Sequence, residues 1–467
     1  MCLRSVPLRG ESSLFRARRS APRLSLLTWR AIMPTRRELI AFTATASALA
    51  AFAWRPRART VARDLVPVAD RATGLPLLKL PPDFSYVSYS WRRDRMDDGN
   101  GVPGLHDGMG AFVQDDGTAV LVRNHEITRA PLNGAAAVYD RHCGGGTTTL
   151  NFDLGSGEWL GARATLAGTY KNCAGGPTPW GSWLSCEETT TGWLPGVIDR
   201  PHGFVFEVPA LGMGDPRPLT GLGRFEHEAA AVDTATGIVY LTEDESEAGL
   251  YRFVPGAGKR GPESLRHPGR LQMLAVEGRP KSTSRWPVGL ERDVAWVDID
   301  DPEGGEGTSV FDQGHDRGGM EFKRLEGCWW DGARLYFVST TGGSARSGQI
   351  WELDPQSSRL RLLHESPGAD VLNEPDNVTK LDNGALLLCE DGGKPTRLAM
   401  LTPSGSLGVV AENNVVLDGR NSFQGDFRDA EWCGVCQAGD WVFANIQIPG
   451  ITFAITGPWD DFVKRSS

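Results

Sequence analysis

The chain has 467 residues, 40% hydrophobic and 23% charged, with 57 glycines, 30 prolines and a net charge of −9. This balance excludes a disordered chain and a multi-span membrane protein, and glycine and proline scattered along its length point to a turn-rich, strand-rich body. The charge is uneven: residues 1–53 hold nine arginines and two acids, which leaves −16 on the rest, a balance that argues against nucleic acid as a partner and suits a protein that holds cations.

In chain order, Arg36-Arg37 stand before a moderately apolar run from Leu39 to Ala53. The run is too short to span a bilayer comfortably and ends in small residues suited to cleavage. It resembles a twin-arginine export signal, so the expected partner is the twin-arginine machinery and the expected location periplasmic or secreted, with no stable membrane span after cleavage. Met33 is a candidate start for that signal. The expected division is an extension and signal over 1–53, a linker over 54–74 and one domain over 75–467. Cys2 leaves with the signal and seven cysteines remain. Cys433 and Cys436 form a lone CxxC without a second pair, so a disulfide or plain buried thiols are expected there rather than structural zinc.

The body repeats a unit. Segments 104–126, 173–188, 225–245, 325–343, 373–393 and 428–450 each run from a polar cluster through a short apolar run, a turn and a strand-like run to a second polar cluster. Turns such as Asp116-Gly117, Asp331-Gly332 and Asn383-Gly384 are strong hairpin signals. Further strand-like runs, including GFVFEVP and GQIWELDP, lie between units. The fold class read from this is all-β: a six-bladed β-propeller with loop insertions, chiefly around 255–320, and no sustained helical period in the body.

A propeller brings equivalent ends of its units to one face of the central channel. The residues gathered there would be Asn124, Glu126, Cys173, Glu187, Glu188, Glu226, Glu228, Glu243, Asp244, Glu326, Glu374, Asp376, Glu390 and Asp391. Two unit charges 4 Å apart repel by ~4 kcal/mol at an effective dielectric near 20. So many carboxylates therefore need protons or cations among them. Oxygen-rich sites favour calcium, and a thiolate favours a transition metal.

At these residues the sequence resembles the PhoX-type alkaline phosphatase family. RNHE at 123–126, NCAGGPTPWGSWLSCEE at 172–188, GRFEHEAAAVD at 223–233, FKRLEGCWWDG at 322–332, GQIWELDP at 348–355 and EPDNVTKLDNGALLLCEDGG at 374–393 carry the likeness. The resemblance implies a twin-arginine-exported, six-bladed propeller with Fe3+ and Ca2+ in its channel; a monomer is expected. It implies hydrolysis of phosphate monoesters by a metal-bound oxygen. Carried over by position, Cys173 resembles the iron-ligating cysteine. Glu228 and Glu326 resemble core carboxylates, and Glu126, Glu187 or Glu188, Glu243, Glu374 and Glu390 resemble further ligands. Arg324 resembles the phosphate-holding arginine, its alternative being a salt bridge to one of the acids; Arg346 is a second candidate. The resemblance thus assigns catalysis to Arg324, Cys173 and Glu326; the chemistry needs neither His125 nor His227 as nucleophile, and both are expected as supporting residues. Two other readings stay open: a calcium-dependent lactonase-like propeller hydrolase, which does not need Cys173, and a non-catalytic, metal-stabilised binding propeller.

Overall fold

The computed structural model describes residues 60–61, 64–129, 138–256, 260–278, 283, 286–304 and 307–467. The expected export signal lies outside the described residues. Ala58–Ser467 form one compact unit, a β-propeller built from hairpins around an axis. Six innermost strands line that axis: β1 (His106–Val113), β2 (Asn172–Pro177), β3 (His227–Val232), β4 (Leu325–Trp330), β5 (Pro375–Lys380) and β6 (Trp432–Ala438). Each packs against the next, and β6 returns to β1. The turns anticipated after β1, β4 and β5 are present, with Gly117, Gly332 and Gly384 at φ of 85°, 99° and 89°.

Hydrogen bonding does not divide the strands into six equivalent blade sheets, contrary to the expectation of six blades. Four sheets have four or more strands (seven, nine, four and four), beside one of three and one of two. Two local causes are visible. Glu291–Asp298 pairs along its edge with Arg359–Glu365, fusing the units of β3 and β4 into the nine-stranded sheet. The unit of β2 stops at Val205–Pro209, and the segment that follows, which carries Pro216 and Pro218, makes only the Asp215 N–H to Glu207 O and Leu219 N–H to Val205 O bonds beside it. The interval 255–320, expected as loop insertion, supplies the sheet strands Gly269–Val276 and Glu291–Asp298 and the helix Val310–Asp316.

The ring is closed by a strand from the start of the body. Ser85–Tyr89 pairs with Ile451–Thr456 in the β6 sheet. The buried Tyr86 hydroxyl accepts from the N–H groups of Leu77 and Leu78 at 2.8 and 3.2 Å and lies 3.0 Å from Val68 O. Val66–Val68 pairs with Leu78–Leu80, so the segment expected as a linker over 54–74 is partly inside the sheet. A short C-terminal helix, Trp459–Ser466, which the sequence period does not announce, packs Trp459 and Phe462 edge-on to Phe84. All seven cysteines of the body are buried free thiols; Cys433 and Cys436 are not bridged.

Candidate metal centre

The six inner hairpins share one irregularity. On β1, pairing passes from His106–His125 to Met109–Arg123. The same step of three residues against two occurs on β2, β3, β4, β5 and β6. This is a one-residue β-bulge, which leaves residues unpaired and re-aims them. The bulged pairs are Asp107-Gly108, Cys173-Ala174, Glu228-Ala229, Glu326-Gly327, Asp376-Asn377 and Gly434-Val435. The first position of five pairs carries a carboxylate or thiol. Close approach of the neighbouring strand limits what fits around it. A Cβ on Gly108 would meet Ala174 Cα at 2.4 Å, and one on Gly327 would meet Asn377 Cα at 2.8 Å.

A second layer lies above the bulges. The amides of Glu126, Glu188, Asp244, Thr340, Asp391 and Gln447 donate to the carbonyls of Leu105, Lys171, Glu226, Arg324, Glu374 and Glu431 respectively. Four of those carbonyl residues, Leu105, Lys171, Arg324 and Glu374, take φ between 45° and 53°. Non-glycine residues seldom adopt this left-handed conformation, and it is concentrated where surrounding structure over-determines a site.

The two layers bring ligand atoms together in three groups, each within 4.8 Å: Cys173, Glu188 and Glu228; Glu228, Glu326 and Asp376; Asp107, Glu126 and Glu431. Glu228 joins the first two. Both its oxygens are buried and have no hydrogen-bond partner. Two cations stand nearby. Lys171 Nζ donates to Glu188 at 2.8 Å and lies 3.4 Å from Glu126. Arg324 donates through Nε and Nη2 to Asp244 at 2.9 Å and through Nη2 to Glu326 at 2.6 Å. Burial works against the Arg324 charge, but Asp244 and Glu326 raise its pKa above the ordinary value.

Two cations do not balance the acids. Burial first, then neighbouring carboxylates, pushes Asp107, Glu228, Glu326 and Asp376 well above the usual carboxylate range. Glu188 is pushed up to about 7 by burial, against the pull of Lys171. Burial and the charges of Asp107 and Glu228 likewise hold the Cys173 thiol up. An uncompensated buried carboxylate with no donor is costly. Carboxylate oxygens in this number, with a single thiol, fit several hard cations and one transition ion.

The expected residues divide cleanly. Cys173, Glu126, Glu188, Glu228 and Glu326 come together in the groups above. Glu187, Glu243 and Glu390 do not. Each stands one residue before an axial-layer residue, and alternation along a strand sends it to the opposite side. Glu187 accepts from Tyr170, Gly203 and Phe204 N–H and from His202. Glu243 accepts from Gly249 N–H and the Tyr251 hydroxyl. Glu390 is paired with Arg397 at 2.6 Å and accepts from Asn373 N–H. Glu374 sits in the second layer with its carboxylate toward Gly392 and in none of the three groups. His125 and His227 turn to backbone carbonyls, Gly104 and Gly223. The polar-cluster pattern passes over Asp107 and Glu431, and names Asp376 without making it a ligand; the signal that finds Asp107 and Asp376 is an acid followed by a small residue near the start of the inner strand.

Arg324 also borders a cleft of about 640 Å³, with Lys323, Arg346, Ser246 and Thr341. The cleft therefore has a cationic wall next to the acidic channel.

A family model described as "Alkaline phosphatase PhoX" matches residues 158–450. Among solved structures, Pseudomonas fluorescens PhoX in complex with vanadate, a transition state analogue, matches with a TM-score of 0.61 at 17% identity, covering 86% of this chain and 99% of that one. A gluconolactonase from Xanthomonas campestris matches at 0.40 and 14%, over 86% and 99%. An inactive virginiamycin B lyase from Staphylococcus aureus matches at 0.39 and 12%, over 80% and 99%. No curated protein sequence matches the chain.

Proposed function

Because the chain belongs to the alkaline phosphatase PhoX family, we propose that it is an exported, metal-dependent phosphatase hydrolysing phosphate monoesters where the acidic channel meets the Arg324 cleft. The observation that carries the reading is Arg324 itself. Through Nη2 it holds Glu326 of the bulge layer, and it also faces a cleft lined by Lys323 and Arg346. The vanadate held by Pseudomonas fluorescens PhoX supports phosphoryl chemistry as the reaction class.

Each residue then has a role. Cys173, with Glu188 and Glu228, would hold Fe3+; Asp107, Glu126, Glu431, Glu326 and Asp376 would hold Ca2+. Bound there, these ions supply Lewis-acid neutralisation of phosphoryl charge and activation of the attacking oxygen. Asp244 fixes the Arg324 guanidinium in two places, which leaves Nη1 to present an N–H to a phosphoryl oxygen. A guanidinium so positioned needs little reorganisation in the transition state. Lys323 and Arg346 raise the local concentration of anionic ester at the mouth. Lys171 neutralises Glu126 and Glu188 and so limits the positive charge the channel must import.

Three wider features belong to the same proposal. Six bulged hairpins in cyclic order support six blades, two of which share a hydrogen-bonded edge. Arg36-Arg37 and the apolar run to Ala53 support twin-arginine export. A monomer acting on small phosphate esters accounts for one complete channel per chain.

The reading is tested by p-nitrophenyl phosphate turnover of the metal-loaded full chain. Arg324→Lys keeps the charge but loses the fork, and kcat/KM should fall by about 10–100-fold, the worth of one charged hydrogen bond. Cys173→Ser should lose iron and most turnover. Folded, metal-loaded wild type that is inert on phosphate esters would refute the assignment, and would favour a binding propeller.

A further inference from the structure

Outside the channel, the described residues contain one more group of ligand atoms within 4.8 Å: Asp140, Cys143 and His202. All three are buried, at 1%, 0% and 0% exposure. Asp140 and Cys143 come from the segment before the strand Gly145–Asp153, and His202 from the loop before Val205–Pro209. We propose that they form a second metal site, holding one tetrahedral transition ion of the zinc class that pins these two segments together.

His202 anchors the group. Its Nδ1 lies 2.6 Å from Glu187 Oε1, a carboxylate already fixed by three backbone N–H groups. A proton on Nδ1 directs the ring, and Nε2 then turns a lone pair inward. That lone pair lies 3.4 Å from Cys143 Sγ and 3.7 Å from Asp140 Oδ2. Three electron-rich atoms thus converge. With Nδ1 protonated, Nε2 accepts the Cys143 S–H at 3.4 Å, a bond that an ion would replace on loss of the thiol proton. An ion with Zn–N near 2.0 Å and Zn–S near 2.3 Å separates its tetrahedral ligands by roughly 3.3–3.6 Å; the 3.4 Å from Nε2 to Cys143 Sγ falls in that range, and the 3.7 Å to Asp140 Oδ2 needs only a small inward shift.

The surroundings fit a metal site. Glu187 behind His202 makes the carboxylate–histidine–metal arrangement that fixes tautomer and ring orientation. Asp140 is aimed by the amides of His142, Asp199 and Arg200. The rings of Tyr139 and Tyr170 pack on His202 at 5.2 and 5.6 Å and exclude water. One thiolate, one carboxylate and one neutral imidazole balance a divalent ion. The site also gives Glu187 a purpose. It belongs to this centre, and Glu188, its neighbour on the strand, belongs to the channel.

The test uses the folded full chain with cobalt(II) as the probe, in the Cys173→Ser background that removes the channel thiol. We expect a near-ultraviolet thiolate-to-cobalt absorption band that saturates at about one thiolate-bound cobalt per chain. Adding Cys143→Ser should abolish the band, and Glu187→Gln should weaken binding by about 10–100-fold through loss of the ring's anchor. None of the other five cysteines belongs to a group of three ligand atoms among the described residues. The Cys173→Ser protein alone therefore decides the matter even where Cys143→Ser fails to fold. Folded Cys173→Ser protein with no thiolate–cobalt band overturns the proposal, as does a band that survives Cys143→Ser.

Discussion

The Glu243 carboxyl sits in a sealed pocket with two donors, Gly249 N–H and the Tyr251 hydroxyl, and burial pushes its pKa from 4.5 up to about 8. An acid whose folded pKa lies above its unfolded value contributes stability that is complete below the unfolded value and is lost as pH rises through the folded one. Glu243→Gln keeps an oxygen for both donors and removes the charge. Wild type should therefore lose stability relative to Glu243→Gln between pH about 4.5 and about 8, by up to about 1.4 kcal/mol per unit, with no further change above. Urea midpoints of both proteins across that range check it, and parallel curves would show that Glu243 does not titrate there. The same residue shows where reading the sequence stops. Glu187, Glu243 and Glu390 are legible as ends of strand-like runs, and so are Glu188, Asp244 and Asp391. Which of each pair faces the channel depends on strand phase, and the period of 2 makes a one-residue error a reversal.

At the scale of the element, the bulge is what turns a hairpin into a ligand. Hairpins were legible because Asp-Gly and Asn-Gly turns and alternating apolar runs have fixed spacing. The bulge has no such period; its trace is a small residue after the acid, as in Asp107-Gly108 and Glu326-Gly327. Gly108→Ala places a Cβ 2.4 Å from Ala174 Cα, a backbone atom that cannot swing aside. We expect a loss of about 1–3 kcal/mol from overpacking, measured by denaturant unfolding, together with a lower cation content. An unchanged midpoint would show that β1 and β2 do not approach this closely. The closing strand has its own test. Tyr86→Phe removes the buried oxygen that accepts from Leu77 and Leu78 N–H and leaves Leu77 N–H only its bond to Leu75 O, so stability should fall by about 1–3 kcal/mol. A smaller change in thermal unfolding would mean that the closing strand does not depend on that hydroxyl. Neither the use of residues 66–68 as sheet nor the C-terminal helix was legible, because a three-residue strand and an eight-residue helix are too short to show a period.

For the whole molecule, the excess of negative charge is an architectural consequence. Strands converging on one axis with acids at the same bulge concentrate charge that a dispersed fold would spread. The acidic body and its recurring polar clusters were legible from composition and spacing. The division into sheets was not, because the edge pairing of Glu291–Asp298 with Arg359–Glu365 joins strands with no sequence relation. If cations hold the acids together, chelation should destabilise the fold. An ion present at about 100 times its Kd contributes about 2.7 kcal/mol, so the thermal midpoint should drop on chelation and recover when calcium and iron are restored. A midpoint indifferent to chelator would argue for protonated acids instead.

The most direct measurement is the elemental composition of the folded, natively exported protein, wild type beside Glu228→Gln. Glu228 joins two ligand groups and has no other partner for either oxygen. Wild type should carry iron together with calcium, several ions per chain, and Glu228→Gln should lose most of both along with phosphatase turnover. Wild type that is folded, active and free of bound cations, or a Glu228→Gln protein with an undiminished complement, would contradict a metal centre in the channel.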